Sequence, residues 1–200
     1  MPHKQAIADL CDDLSPHAAA QRSENTVTLR PDGHTTGDTT DGLGFLRSLA
    51  EAGVEPAGRS VVILGAGGAA RAVAWALQGA GATVTVSARR PEAAAQVPGA
   101  AVAWDDRAAA IAAAELGVNA TPIGMAGDPG LPVAAEALGP DQVVADLVYE
   151  PRETPLLTAA RARGARVVPG LGMLVYQAAL QVEHWTGRPA PIDAMRAAVS

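Results

Sequence analysis

The sequence predicts an α/β protein built on a doubly wound parallel sheet, and three observations lead there. Continuous apolar runs recur along the chain, as strands buried on both faces require. Helical patterns separate them at the spacing of βαβ units. The 200 residues are 48% hydrophobic but only 3% aromatic, with 21 glycines and 15 prolines, which fits a core of Ala, Val and Leu joined by short turns. That length suits one domain, or one domain and part of another.

An alanine-rich helical pattern opens directly after Met1-Pro2-His3-Lys4. From Glu24 to Asp38, β-forming residues are interrupted by Pro31-Asp32-Gly33, a turn between two short strands. Asp41 to Ala52 reads as a helix ended by Gly53. Ser60–Gly65 (SVVILG) is a buried strand running into glycine, followed by an Ala-rich helix from Gly67 to Gln78 and a second strand, Thr83–Ser87 (TVTVS). Later strands are expected in Glu115–Thr121, Gln142–Tyr149 and Ala165–Val168, with helices near Arg107–Ala114 and Pro155–Arg163 between them. The doubly wound region thus extends from about Phe45 to Gly170, and Leu171–Trp185 and Ile192–Val199 read as two closing helices.

Composition excludes several classes of partner. The net charge is −6 and the 15 Lys and Arg are scattered, so nucleic acid and acidic membranes are not expected to bind. The single cysteine, Cys11, allows no internal disulfide and agrees with a reducing cytoplasm. No apolar stretch has membrane-spanning length and no basic-then-apolar signal opens the sequence, so a cytoplasmic protein is expected. His3, His17, His34 and His184 lack a matching ligand cluster, so no metal is expected.

Gly65, Ala66, Gly67, Gly68, Ala69 and Ala70 form a G-x-G-x-x-A turn between a buried strand and a helix. The first glycine permits the tight turn, the second lets backbone N–H groups approach a pyrophosphate, and the small residue at Ala70 lets helix and strand pack closely. This is the signature of a Rossmann-type dinucleotide site. The second strand then ends in Ser87-Ala88-Arg89-Arg90, where an NAD site usually carries an acid about 20 residues after the loop. Two guanidinium groups suit a 2′-phosphate in charge and fork geometry, so NADP is the expected cofactor.

Four further stretches hold more polar residues than loops need: Asn25-Thr26, Gly37–Gly42 (GDTTDG), Val118–Met125 (VNATPIGM) and Gly170–Gln177 (GLGMLVYQ). Singly, each has an ordinary explanation as a turn, a helix cap or a solvated helix residue. In this order, together with MPHK, GAGGAARA and DLVYEPRETPLL, they resemble the shikimate dehydrogenase family, including its quinate/shikimate relatives, and the resemblance runs from residue 1 to about Thr186.

That resemblance implies reversible reduction of 3-dehydroshikimate to shikimate with NADPH, a step of aromatic amino-acid and chorismate biosynthesis. It implies that Lys4 is the catalytic lysine and Asp41 the aspartate working beside it. Asn25, Tyr149 and Gln177, with Asp41, correspond to residues that bind substrate hydroxyls. Gly65, Ala66, Gly67, Gly68 and Ala69 correspond to the pyrophosphate loop, and Arg89, with Arg90 beside it, to the adenosine-phosphate arginine. Leu147 and Gly170 correspond to positions near the nicotinamide, and Asn119, Ala120 and Thr121 line the same side of the cofactor. The implied division is a remnant of a truncated α/β substrate domain at 1–41, a Rossmann domain at 42–170 and C-terminal helices at 171–200 returning to the substrate domain. Shikimate or 3-dehydroshikimate is the expected small-molecule partner, and a homodimer is the assembly to test for.

The sequence departs from the family pattern in places. The opening βαβ segment with its Ser-x-Ser pair for the substrate carboxylate is not in this sequence, so Met1 is expected to be an internal methionine of a longer enzyme. Losing those contacts would weaken substrate binding by about 2–4 kcal/mol. Thr39 stands where asparagine is usual, Ala88 replaces a common asparagine, and Glu24 replaces a small apolar residue. Two alternatives therefore stand beside the enzyme: a truncated, catalytically impaired NADP-binding homologue, and a dehydrogenase preferring quinate.

Overall fold

The computed structural model describes residues 7–21 and 24–199. A small sheet comes first: β1 (Asp13–Leu14), then helix α1 (Pro16–Gln21), β2 (Thr26–Leu29) and β3 (Thr35–Asp38). Its order is β1-β3-β2, with β1 parallel and β2 antiparallel to β3. Gly33, at φ 87°, turns the chain from β2 to β3 where the sequence predicts it.

Helix α2 (Asp41–Glu51) leads into the main sheet, which alternates strand and helix: β4 (Ser60–Leu64), α3 (Gly68–Gly79), β5 (Thr83–Ser87), α4 (Pro91–Ala94), β6 (Ala100–Val102), α5 (Arg107–Ala112), β7 (Leu116–Asn119), β8 (Val143–Asp146), α6 (Pro155–Ala162) and β9 (Arg166–Val168). Helices α7 (Gly170–Thr186) and α8 (Ile192–Ala198) close the chain. The six strands are parallel in the order β6-β5-β4-β7-β8-β9. Numbered from its first strand this is 3-2-1-4-5-6, the Rossmann order, whose topological switch lies between β4 and β7.

Alternation along β4 explains the two-sided core. Val61 and Ile63 join Phe45, Leu49, Val73 and Leu77 beneath α2 and α3, while Val62 and Leu64 join Ile111, Leu138, Val144 and Leu156 beneath α5 and α6. Strands β1 and β6 are not expected from the sequence. They are short edge strands whose side chains stay partly or fully exposed, so they carry no apolar run to reveal them. Helix α5 also stops at Ala112, two residues short of the alanine cluster's end.

Three glycines in helices set the distances that matter at the site. A Cβ on Gly42 would lie 2.5 Å from the carbonyl oxygen of Ala72 in α3. One on Gly44 would lie 2.7 Å from the backbone nitrogen of Gln177 in α7, and one on Gly172 would lie 2.5 Å from Ser48 Oγ. Helix α2 therefore touches α3 and α7 almost backbone to backbone, which brings Asp41 beside Gln177.

Candidate functional site

The expected cofactor residues gather at the carboxyl end of the parallel sheet. Gly65 adopts φ 115°, and a Cβ there would sit 2.7 Å from the carbonyl oxygen of Ala120, so the turn after β4 requires glycine twice over. Gly67 is the N-terminal cap of α3 and has nothing within 4 Å of where a Cβ would be. A bare helix N-terminus facing open space is a ready seat for phosphate. Gly65, Ala66, Gly67, Ala88, Arg89, Arg90, Ala120 and Thr121 line one cleft of about 500 Å³, with both arginines exposed. The chain's own residues thus fit a dinucleotide phosphate at the loop and a further anionic group beside the arginine pair.

Asn119 shapes the opposite wall. Its Oδ1 accepts from the Thr121 backbone nitrogen (3.0 Å) and hydroxyl (2.7 Å), and its Nδ2 donates to Ile123 O (3.2 Å) and Asp146 Oδ1 (2.9 Å). Asp146 is only 1% exposed and also accepts from Val148 N at 3.0 Å and the Thr154 hydroxyl at 2.7 Å. Burial pushes its carboxyl above the usual range, against the hydrogen bonds from Thr154, Val148 and Asn119 that favour the anion. Thr154 in turn caps α6 by accepting from Leu157 N. One buried carboxylate thereby ties the loop after β7, the segment after β8 and the start of α6 together.

A second cavity of about 400 Å³ is lined by Asn25, Asp41, Ala69, Leu147, Tyr149, Gly170, Met173, Leu174, Gln177 and Gln181. All four described residues expected to bind substrate hydroxyls are among them, beside Leu147 and Gly170. Gly170 has a packing reason as well: a Cβ there would lie 2.6–2.7 Å from the carbonyl oxygens of Asp146, Leu147 and Val148. Asp41 is the buried first residue of α2, preceded by Thr40 at the cap. Asn25 Nδ2 donates to Asp41 Oδ1 (2.8 Å), Thr40 Oγ1 (3.0 Å) and Gln177 Oε1 (3.2 Å), and its Oδ1 accepts from Thr40 N at 3.0 Å. Gln177 is therefore no solvated helix residue, and Tyr149 is the exposed rim of the cavity at 49%. Lys4 lies outside the described residues. A third, more open groove beside Asp128–Leu131 and α6 contains none of the expected residues.

Gln181, Asp146 and Trp104 also belong to these sites, and no motif in the sequence marks them. Gln181 stands one turn beyond Gln177 and donates to Asn25 O (2.9 Å) and Thr26 Oγ1 (3.1 Å), so helical spacing from Gln177 is the signal that finds it. Asp146 ends a buried strand at the side where ligands bind, and an acid inside an apolar run is conspicuous there. Glu24 is also fully buried, beneath Gly37, whose missing Cβ would stand 1.7 Å from its Oε2. Its Oε1 accepts from the Cys11 thiol at 3.4 Å and its Oε2 has no partner among the described residues, and burial raises its pKa. The side chain does not line the cavity that holds Asn25 and Asp41.

Among the described residues no group of three or more His, Cys, Asp or Glu could hold a metal ion, and no helix is long and apolar enough to cross a membrane.

Strand order, glycine turn and arginine pair define the class of protein: a Rossmann-type dinucleotide-binding fold with a cleft at its switch point and a second cavity beside it. Residues 170–199 match the family model described as the shikimate 5′-dehydrogenase C-terminal domain. The shikimate dehydrogenase (NADP(+)) of Acidiphilium cryptum is 45% identical over 205 residues, covering 100% of this chain and 74% of its own. The shikimate 5-dehydrogenase of Thermus thermophilus, solved in complex with NADP(H) and shikimate, superposes with a TM-score of 0.91 at 36% identity, covering 100% of this chain and 76% of that one. The quinate dehydrogenase of Corynebacterium glutamicum, solved with NAD, superposes at 0.90 and 36% identity over 98% of this chain and 74% of that one. The chain belongs to the shikimate dehydrogenase family.

Proposed function

We propose that this chain is an NADP-dependent shikimate dehydrogenase that interconverts 3-dehydroshikimate and shikimate. One observation carries the reading: the cavity holding Asn25, Asp41 and Gln177 is walled by Leu147 and Gly170, at the same end of the sheet as the phosphate loop. A polyhydroxylated ring needs amide and phenol groups around it, and this cavity supplies three carboxamides, a carboxylate and a rim phenol.

In this reading NADP(H) supplies or accepts the hydride. The chain's residues must handle the proton. Lys4 takes the hydroxyl proton as hydride leaves, and in the reverse direction polarises the carbonyl oxygen as an ammonium and returns the proton to it. Asp41, fixed by the Asn25 amide at 2.8 Å, orients the lysine and shares its charge. Gln177 and Tyr149 hold other hydroxyls of the ring. The loop from Gly65 to Ala69 seats the pyrophosphate, Arg89 and Arg90 take the 2′-phosphate, and the Asn119–Thr121 loop bounds the far wall. Residues 1–41 and 171–200 form the substrate side and 42–170 the cofactor side. The setting is cytoplasmic, and a homodimer is checked by sedimentation velocity.

The test is NADPH oxidation by the pure, folded protein. Turnover is expected with 3-dehydroshikimate and NADPH, faster than with 3-dehydroquinate and NADH. No turnover above background would sink the proposal. Lys4→Ala should cut kcat by about 10²–10⁴ with little change in cofactor affinity. Arg89→Ala should weaken NADPH binding about tenfold and leave NADH unaffected.

A further inference from the structure

The strands β5 and β6 end side by side, Ser87 paired with Val102. Beyond them the chain supplies Arg89 and Arg90 from one exit and Trp104 from the other, and all three line the cofactor cleft. Ser87 Oγ donates to Ala103 O at 3.2 Å, which holds the two exits together. We infer that Trp104 is the wall on which the adenine ring of the dinucleotide stacks, and that Arg107 holds the indole in place for it. The inference rests on reading this cleft as an NADP site.

Trp104 begins a single 3₁₀ turn, Trp104–Asp106, and is partly buried against the core beneath α5. The Arg107 guanidinium covers the ring at 4.4 Å from its centroid. That guanidinium is itself fixed, donating from Nε to Pro132 O and from Nη1 to Trp104 O, each at 2.8 Å. An arginine tied at two points clamps a ring that also lines a cleft, so the indole is oriented before any ligand arrives and loses little freedom on binding.

Position along the cleft selects adenine over nicotinamide. The phosphate loop lies between two ends: Arg89, Arg90 and Trp104 at one, Leu147 and Gly170 with the hydroxyl-binding residues at the other. The end with the hydroxyl-binding residues must receive the reacting ring. The other end offers two guanidinium groups and one aromatic face, which suits an adenosine carrying a 2′-phosphate.

The two halves of the cofactor separate the possibilities. Binding of 2′,5′-ADP, the adenine half, is measured by calorimetry, and binding of reduced nicotinamide mononucleotide by its own fluorescence. Trp104→Ala should weaken 2′,5′-ADP by about ten- to a hundredfold, leave the nicotinamide half unchanged, and Trp104→Phe should restore most of the loss. Because Trp75 and Trp185 do not line the cleft, 2′,5′-ADP should quench wild-type tryptophan emission and fail to quench that of Trp104→Phe. This last comparison holds even if the alanine variant does not fold. Equal affinity of folded Trp104→Ala and wild type for 2′,5′-ADP overturns the inference, as does an equal loss for both halves or quenching that persists in Trp104→Phe. If the wild type does not bind 2′,5′-ADP at all, the NADP reading itself falls.

Discussion

Asn25 donates from Nδ2 to Oε1 of Gln177 at 3.2 Å, joining residues 152 positions apart. The same nitrogen faces Asp41 Oδ1 at 2.8 Å and Thr40 Oγ1 at 3.0 Å, so two N–H bonds serve three acceptors. The bond to Gln177 is the longest and the one a ligand can replace. A substrate hydroxyl entering there can accept from Asn25 while donating to the released Oε1 of Gln177, exchanging one protein hydrogen bond for two to the ligand.

This exchange predicts different costs for its two members. Asn25→Ala removes the donor to Asp41 and the acceptor for Thr40 N, so it should destabilise the fold by about 1–3 kcal/mol as well as raise KM. Gln177→Ala should raise KM for 3-dehydroshikimate with little change in Tm or in KM for NADPH. Steady-state kinetics on both single variants and the double should give a coupling of about 0.5–3 kcal/mol in kcat/KM. Strict additivity would mean that the pair does not act together on substrate.

Close approach of α2 and α7 is what makes that pair meet, so it predicts a sensitive small residue. Gly44→Ala improves intrinsic helix propensity by about 1 kcal/mol. Its new Cβ would nevertheless press on the Gln177 backbone nitrogen at 2.7 Å. Backbone cannot rotate away, so the net effect should be destabilisation by about 1–3 kcal/mol and a higher substrate KM, read by thermal melts and kinetics. A stabilised variant with unchanged KM would show that the helices separate freely.

Asp146 predicts a loss felt at a distance. Asp146→Ala takes the acceptor from Val148 N, the Thr154 hydroxyl and one N–H of Asn119 in a buried place, at a cost of about 3–5 kcal/mol. Because Asn119 holds Thr121 on the cleft wall, cofactor affinity should fall more than the affinity for shikimate. Asp146→Asn, which keeps one acceptor, should recover part of the stability. Denaturant melts and NADPH titration check both statements.

The parallel sheet was legible because burial on both faces forces continuous apolar runs, as in Ser60–Leu64 and Val143–Asp146. The phosphate loop was legible because its geometry admits few residues. The opposite applies to β1 and β6: edge strands with exposed side chains follow no pattern. Asn25, Asp41 and Gln177 could be placed in one site only through a family resemblance, since their meeting depends on how tightly three helices pack. Trp104 gives no signal for a related reason: Arg89, which lines the cleft with it, and Pro132, which holds Arg107 over it, come from other exits of the sheet.

Glu24 supplies the clearest dependence on pH. Its side chain is fully buried, its one donor among the described residues is the weak Cys11 thiol at 3.4 Å, and its pKa is raised, first by desolvation. A carboxyl whose folded pKa exceeds its unfolded value binds its proton more tightly in the native state. Its favourable contribution is therefore complete below the ordinary carboxylate range and disappears as pH rises through the raised value. Glu24→Gln cannot ionise and so escapes that loss. The variant should melt close to wild type at acid pH and above it at pH 8. The thiol should respond in the same experiment. Burial and the Glu24 carboxylate both hold the Cys11 pKa up, so alkylation of Cys11 at mildly alkaline pH should be faster in Glu24→Gln, where the carboxylate is gone. A Tm difference that stays constant between pH 5 and pH 8 would show that Glu24 remains in one protonation state throughout.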